Sequence, residues 1–225
     1  MNRHIKRNAA LVAVGLLTAL AAQAQSAGSL MLRAGVTHIQ PNVTSGNFSA
    51  PFFAGAKADT FAATSIGGGV TYMWTNHIAI DLPLATPFKH DMIGAGAIAG
   101  VGKIGEVQAL PITLFAQYRF LAADAPARPY IGVGATYAKF FKARSTAVLT
   151  ALTGGTPALP TTMSVENKFV PTLQAGAVFT IKPRWFVDVS VSHTPLKTRT
   201  TLSTGQTLDA TLDPSSISIA VGYRF

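Results

Sequence analysis

After Gln25 the chain alternates apolar with small or polar residues at a period of two, eight times over. No other feature constrains the fold as tightly, because successive side chains of a strand point to opposite faces. In the first segment Leu30, Leu32, Ala34 and Val36 share one face, against Arg33, Gly35 and Thr37. Next, Ile66, Val70, Tyr72 and Trp74 oppose Ser65, Gly67, Gly69 and Thr71. In the third, Ile78, Ile80, Leu82, Leu84 and Phe88 oppose Ala79, Asp81, Pro83 and Ala85. The fourth sets Leu110, Ile112, Leu114, Tyr118 and Phe120 against Thr113, Phe115, Gln117 and Arg119. The later apolar faces are Ile131, Val133 and Tyr137, then Leu173 and Phe179, then Trp185, Val187, Val189 and Val191. Ile217, Ile219, Val221, Tyr223 and Phe225 form the last.

A water-soluble barrel would turn such apolar faces inward and its charges outward. Here one face is almost wholly apolar, while the other gathers glycines, serines and charges. Hydrophobic residues make up 48% and charged residues 12% of the chain, against roughly 25% charged in soluble domains. Yet no run after Gln25 approaches the ~20 apolar residues of a spanning helix. Strands can cross lipid if they close on one another and leave no backbone group unpaired. The expected fold is therefore an all-β, eight-stranded antiparallel up-and-down transmembrane barrel. Short turns at Thr75-Asn76-His77, 122–128 and Lys182-Pro183-Arg184 would be periplasmic, and long stretches near 41–60, 89–105, 142–168 and 194–213 external.

The ends agree with export. Arg3, Lys6 and Arg7 precede an apolar stretch over 9–22, and Ala22-Gln23-Ala24 forms an A-x-A site. Residues 1–24 are read as a cleaved signal peptide and 25–225 as the barrel. Removing three basic residues of 18 leaves 15 Lys and Arg against 9 Asp and Glu. In an exported chain this surplus points to outer-membrane lipids and lipopolysaccharide rather than nucleic acid. The nine basic residues near the external side are Lys57, Lys89, Lys103, Lys139, Lys142, Arg144, Lys168, Lys197 and Arg199. They either pair with lipid phosphates or simply solvate the loops. Tyr223 and the terminal Phe225 have the form of a signal for the outer-membrane assembly machinery, and the address expected is the bacterial outer membrane with loops on the cell surface. With no cysteine and no histidine pair at ligand spacing, neither a metal site nor a cofactor is expected.

Strand parity also sorts the interior. Arg33, Asp81, Arg119, Asp188 and Arg224 should point into a lumen just wide enough for side chains. They form either a polar plug or a narrow ion path. Aromatic girdles are expected at both interfaces, with Phe88, Phe140, Phe141 and Phe169 at the outer one.

Four blocks resemble the OmpW family of outer-membrane proteins. They are Leu84-Ala85-Thr86-Pro87-Phe88-Lys89-His90, Leu110-Pro111-Ile112-Thr113-Leu114 with Gln117-Tyr118-Arg119-Phe120, Arg128-Pro129-Tyr130-Ile131-Gly132-Val133-Gly134, and Asp213-Pro214 with Gly222-Tyr223-Arg224-Phe225. The resemblance implies an eight-stranded barrel that passively carries small hydrophobic molecules across the outer membrane. The sequence adds an expected path of Gly67, Gly69, Pro83, Ala85, Pro87 and Pro111, with Phe52 and Phe53 at the entrance. Proline lacks the N–H that a ladder needs, so Pro83 and Pro111 suggest a weak seam between the third and fourth strands. Lateral exit there stands against prolines that leave the wall closed. Likewise, the apolar external segments Pro51-Phe52-Phe53, Met92-Ile93, Ala97-Ile98 and Ala147-Val148-Leu149 either receive cargo or pack on one another. The alternative function is a non-transporting structural or surface-interaction barrel for adhesion or stress response. An enzyme is not expected, and no catalytic residue is assigned: His90-Asp91 could enter a triad only with a distant serine.

Overall fold

The computed structural model describes residues 25–225, so the expected signal peptide, 1–24, lies outside the described residues. The alternating segments are strands: β1 (Leu30–Gln40), β4 (Ala63–Met73), β5 (Ile78–Ala85), β7 (Lys103–Arg119), β8 (Ala127–Ser145), β10 (Lys168–Thr180), β11 (Trp185–His193) and β14 (Ser215–Arg224). Each pairs antiparallel with its neighbours, and β1 closes the ring on β14. The result is a closed eight-stranded barrel. Its outer surface is apolar, with Ile66, Leu84, Leu114, Val133, Leu173, Ile219 and Val221 all exposed. Trp74, Tyr118, Phe120, Trp185 and Phe225 ring the end that carries the three short turns, as interfacial aromatics do.

The segments expected as long external loops are largely ordered strands. These are β2 (Thr44–Ser45), β3 (Ala56–Thr60), β6 (Phe88–Gly96), β9 (Met163–Val165), β12 (Lys197–Leu202) and β13 (Thr207–Thr211), with a short helix α1 (Ala147–Leu152). β3 and β6 extend the wall outward beside the upper part of β7, whereas β2, β13, β12 and β9 form a separate sheet, in that order. Phe48, Ala58, Ile98, Ile104, Leu149, Met163, Leu202 and Leu208 bury against one another between them, with Phe52 and Met92 packed alongside. One residue of each apolar external segment, Phe52, Met92, Ile98 and Leu149, thus serves a small core of its own, because chain leaving the bilayer must find another way to hide apolar area, worth about 25 cal/mol per Å².

Two aromatics expected at the outer interface, Phe88 and Phe140, turn inward instead, and for Phe88 an expected parity is reversed. Phe88 was placed outward with Leu84, yet it is 1% exposed, and Lys89 faces out instead. The third strand breaks between β5 and β6, and its register with β7 slips by one residue across the break, from Asp81–Phe115 to Phe88–Ala109. An odd slip turns every later side chain to the other face.

Candidate functional site

The lumen has three levels. The lowest is polar and tied. Arg33 meets Asp81 through two parallel bonds, Nη1 to Oδ1 at 2.6 Å and Nη2 to Oδ2 at 2.9 Å. Thr71 Oγ1 donates to the same carboxylate at 2.5 Å. Gly69 makes this possible, since a Cβ there would lie 2.7 Å from the Arg33 guanidinium. Arg119 is fully buried, donates to Gln117 Oε1 at 2.9 Å and Gln25 Oε1 at 2.5 Å, and lies 5.1 Å over the Tyr130 ring. Asp188 accepts from Tyr130 Oη at 3.1 Å. Arg224 donates to Thr180 Oγ1 at 2.7 Å and stacks over Phe186.

All five parity-assigned charges therefore point inward, but they do not simply neutralise one another. Arg33–Asp81 is the one ion pair of this level among the described residues. Sequence parity also missed Arg128, which sits at the start of β8 and donates to the Gln25 carbonyl at 2.5 Å, to Phe120 O at 3.0 Å and to Asn76 O. Tyr130, Gln25, Gln117 and Gln174 were missed as well. Gln117 Nε2 donates to Gln174 Oε1 at 2.8 Å, and both were visible only as inward positions.

Above lies a tier of hydroxyls. Thr113, Thr136, Thr172 and Thr194 form a chain of contacts at 2.7, 2.5 and 3.0 Å, and Thr37 meets Ser218 at 2.8 Å. A cavity of ≈120 Å³ runs from Arg33 and Asp188 past this tier to Leu196 and Pro214. Pro83, Leu84, Ala85 and Pro111 line one side of it. Its upper continuation, ≈110 Å³, is apolar and lies under the cap, between Ile39, Met92, Val107 and Phe140 of the wall and Leu208 and Leu212 beyond it. Ile39, Pro111, Ala138, Leu196 and Pro214 line both, so the two spaces adjoin.

The remaining path residues divide. Gly67 pairs with Ala85 beside the lumen, Gly69 belongs to the Arg33 level, and Pro87 sits in the break between β5 and β6. Phe52 and Phe53 line neither cavity. Phe52 packs on Phe48 with ring centroids 5.0 Å apart, and Phe53 is exposed.

The seam is an interruption in the wall. β5 and β7 pair from Ile78–Tyr118 to Asp81–Phe115, and pairing resumes at Phe88–Ala109. Residues 82–87 and 110–114 have no ladder pair with each other between those points. The other edges stay bonded: Pro83 pairs with Gly69 of β4, and Pro111 with Ala138 of β8. Antiparallel strands direct N–H groups to alternate sides. Arg119 N donates to His77 O, and Thr86 N donates the other way, to Ile66 O of β4. Odd-numbered residues of β5 and β7 therefore address the seam. Continuing the Asp81–Phe115 register sets Pro83 against Thr113 and Pro111 against Ala85. The two prolines are therefore offset and do not face each other. Each occupies a successive position where the ladder needs a donor.

Other chemistry is dispersed. His90 faces the upper cavity and its Nδ1 lies 2.9 Å from Phe61 O, whereas Asp91 faces out and pairs with Lys103 at 2.7 Å. Adjacent residues on opposite faces cannot share a triad. At the terminus, Phe225 N donates to Leu30 O at 2.8 Å, and its ring stands 4.9 Å from that of Tyr223.

Residues 26–225 match the OmpW family. Outer membrane protein W of Escherichia coli K12 is 31% identical over 223 residues, 98% of this chain and 99% of that protein. The Dibenzothiophene metabolism operon protein PahQ of Pseudomonas aeruginosa is 27% identical over 175 residues, 76% of this chain and 74% of that protein. The crystal structure of OprG from Pseudomonas aeruginosa superposes with a TM-score of 0.80 at 24% identity, covering 91% of this chain and 99% of that one, which marks a shared fold. A closed barrel with an apolar exterior, matched along nearly its whole described length, makes this protein a member of the OmpW family and places it in the outer membrane.

Proposed function

We propose that the barrel passively admits small hydrophobic molecules to the apolar cavity under its external cap and releases them sideways, through the β5–β7 seam, into the bilayer. Family membership supports the coarser reading, an outer-membrane channel for hydrophobic molecules. One observation carries the finer one: the wall loses its ladder beside the lumen, at the two prolines whose missing donors face the gap. Below, the Arg33–Asp81 pair with Arg119, Asp188 and Arg224 bars passage to the periplasm. An apolar molecule gains nothing by entering that level, because charged groups would have to surrender bonds to admit it. The relative whose name refers to dibenzothiophene metabolism suggests fused aromatic compounds as a first class of cargo.

The test is uptake of naphthalene by cells producing the protein or its Pro83→Val/Pro111→Val variant. Restoring both donors should close the seam and lower uptake towards that of cells without the protein. Unchanged uptake at equal barrel abundance would refute lateral exit. Uptake that never exceeds the protein-free background would instead favour a surface-interaction role.

A further inference from the structure

The external basic residues are unevenly answered by carboxylates. Lys168 pairs with Glu166 at 2.7 Å and Arg199 with Asp209 at 2.6 Å, away from the seam. On the outward face of β6, β7 and β8 the balance differs. Register aligns Lys89 with Gln108 and Phe141, Asp91 with Glu106 and Arg144, and Leu110 with Lys139. With Lys103 and Lys142, five cations meet two carboxylates there. Asp91 and Glu106 are already engaged, by Lys103 at 2.7 and 3.0 Å and by Lys89 at 3.2 Å. Among the described residues Lys139, Lys142 and Arg144 have no ion pair, and all three are exposed. Lys142 stands in a bulge, at φ 49°, where β8 carries an extra residue against β7.

The height of this ridge gives it meaning. Lys139 lies opposite Leu110, at the top of the outward apolar column that descends through Ile112 and Leu114 to Tyr118. Ten strand residues from Leu110 to Arg119, tilted as barrel strands are, span about the 25 Å apolar band of an outer-membrane barrel. The cations thus sit where the outer leaflet's headgroups begin. Directly beneath are exposed Leu84 and Ile112, on the two sides of the seam.

We infer that this ridge binds a phosphorylated glycolipid of the outer leaflet, with phosphate held by Lys139 and Arg144 and an acyl chain lying over the seam. Lipid A has the required chemistry: anionic groups at the headgroup level on a body of saturated chains. Cargo leaving the seam would then enter the bilayer along that chain, so the proposal rests on the lateral-exit reading only for its consequence. Binding itself is independent of transport.

The experiment uses purified full-length barrel in detergent and native mass spectrometry with diphosphoryl lipid A. The wild type should retain the lipid, and Lys139→Gln/Arg144→Gln should weaken retention by about tenfold or more, as expected for two basic groups at an anionic surface. Lys168→Gln/Arg199→Gln should change it little. Fully dephosphorylated lipid should bind no better to the wild type than to the ridge variant, and excess inorganic phosphate should not displace bound lipid A. Equal retention by the ridge variant, or an equal loss in the control pair, overturns the site. For the chain, Leu84→Cys in this cysteine-free protein, labelled with bimane, should be quenched by spin-labelled lipid A more than Ile217→Cys on the far wall. Equal quenching overturns placement over the seam.

Discussion

The floor and the seam face the same lumen, yet they use hydrogen bonding in opposite ways. At the floor, Asp81 takes two bonds from Arg33 and one from Thr71, and Arg119 is divided between Gln117 and Gln25. At the seam, backbone that should pair does not, between Asp81–Phe115 and Phe88–Ala109. Asp81 belongs to both regions. It is the last residue of β5 to pair with β7 and the anchor of the floor's ion pair, so the tied region ends where the open one begins. In an eight-stranded barrel with no room for a wide pore, a firm floor is what the proposed lateral exit requires.

The largest effect should come from the floor. Asp81→Ala leaves Arg33 buried without its carboxylate, at a cost of about 3–5 kcal/mol, read as a lower denaturant midpoint in lipid vesicles. Arg33→Met with Asp81→Ala should recover most of that loss. A single variant that unfolds like the wild type would show a floor held together by water, and the contrast with the seam would fail. Tyr130→Phe should cost less, about 1–3 kcal/mol, by removing the hydroxyl that donates to Asp188 at 3.1 Å. It should also raise ion conductance in planar bilayers slightly. Unchanged stability and conductance would mean that Asp188 is satisfied elsewhere.

The seam should respond in the other direction. Pro83→Val with Pro111→Val supplies two donors and should stabilise the barrel by about 1–2 kcal/mol, near 1 kcal/mol for each bond made. Hydrogen exchange at the two substituted amides should slow to the rate of strand interiors. If those amides exchange as fast as turns, the gap has a cause other than proline, such as the one-residue slip between β5 and β6.

What was legible in the sequence follows from the range of each interaction. Parity is local, so the inward set of Arg33, Asp81, Arg119, Asp188 and Arg224 could be read directly, as could the short turns. Phe88 could not, because its orientation depends on a register slip that only the pairing with β7 reveals. The external sheet joins β2 near residue 45 to β13 near residue 210, a contact that no periodicity announces. Arg128 lies just after a turn and reaches Gln25 across the barrel end. Gln25 itself carries no pattern at all. The offset of Pro83 from Pro111 likewise needs the register rather than the composition.

The smallest effect concerns the space between floor and exterior. His90 is 8% exposed in the extracellular extension, faces the upper cavity, and has its pKa lowered from the ordinary 6.5, first by loss of hydration. Its Nδ1 contact with Phe61 O and the charge of Asp91 on the opposite face both favour the proton, but less than lost hydration opposes it. The sign follows from linkage: below 6.5 an unfolded chain takes up a proton that folded His90 still refuses. Stability is therefore complete above that pH and declines as pH falls towards the lowered pKa. A neutral apolar ligand over His90 removes more hydration and should deepen the shift, so its affinity should fall on acidification, by no more than about tenfold between about pH 7.5 and about pH 5.5. Fluorescence titration with an apolar dye measures this, and His90→Gln should flatten the dependence. If the slope survives that substitution, His90 is not its source and the cavity's pH dependence does not come from the buried imidazole.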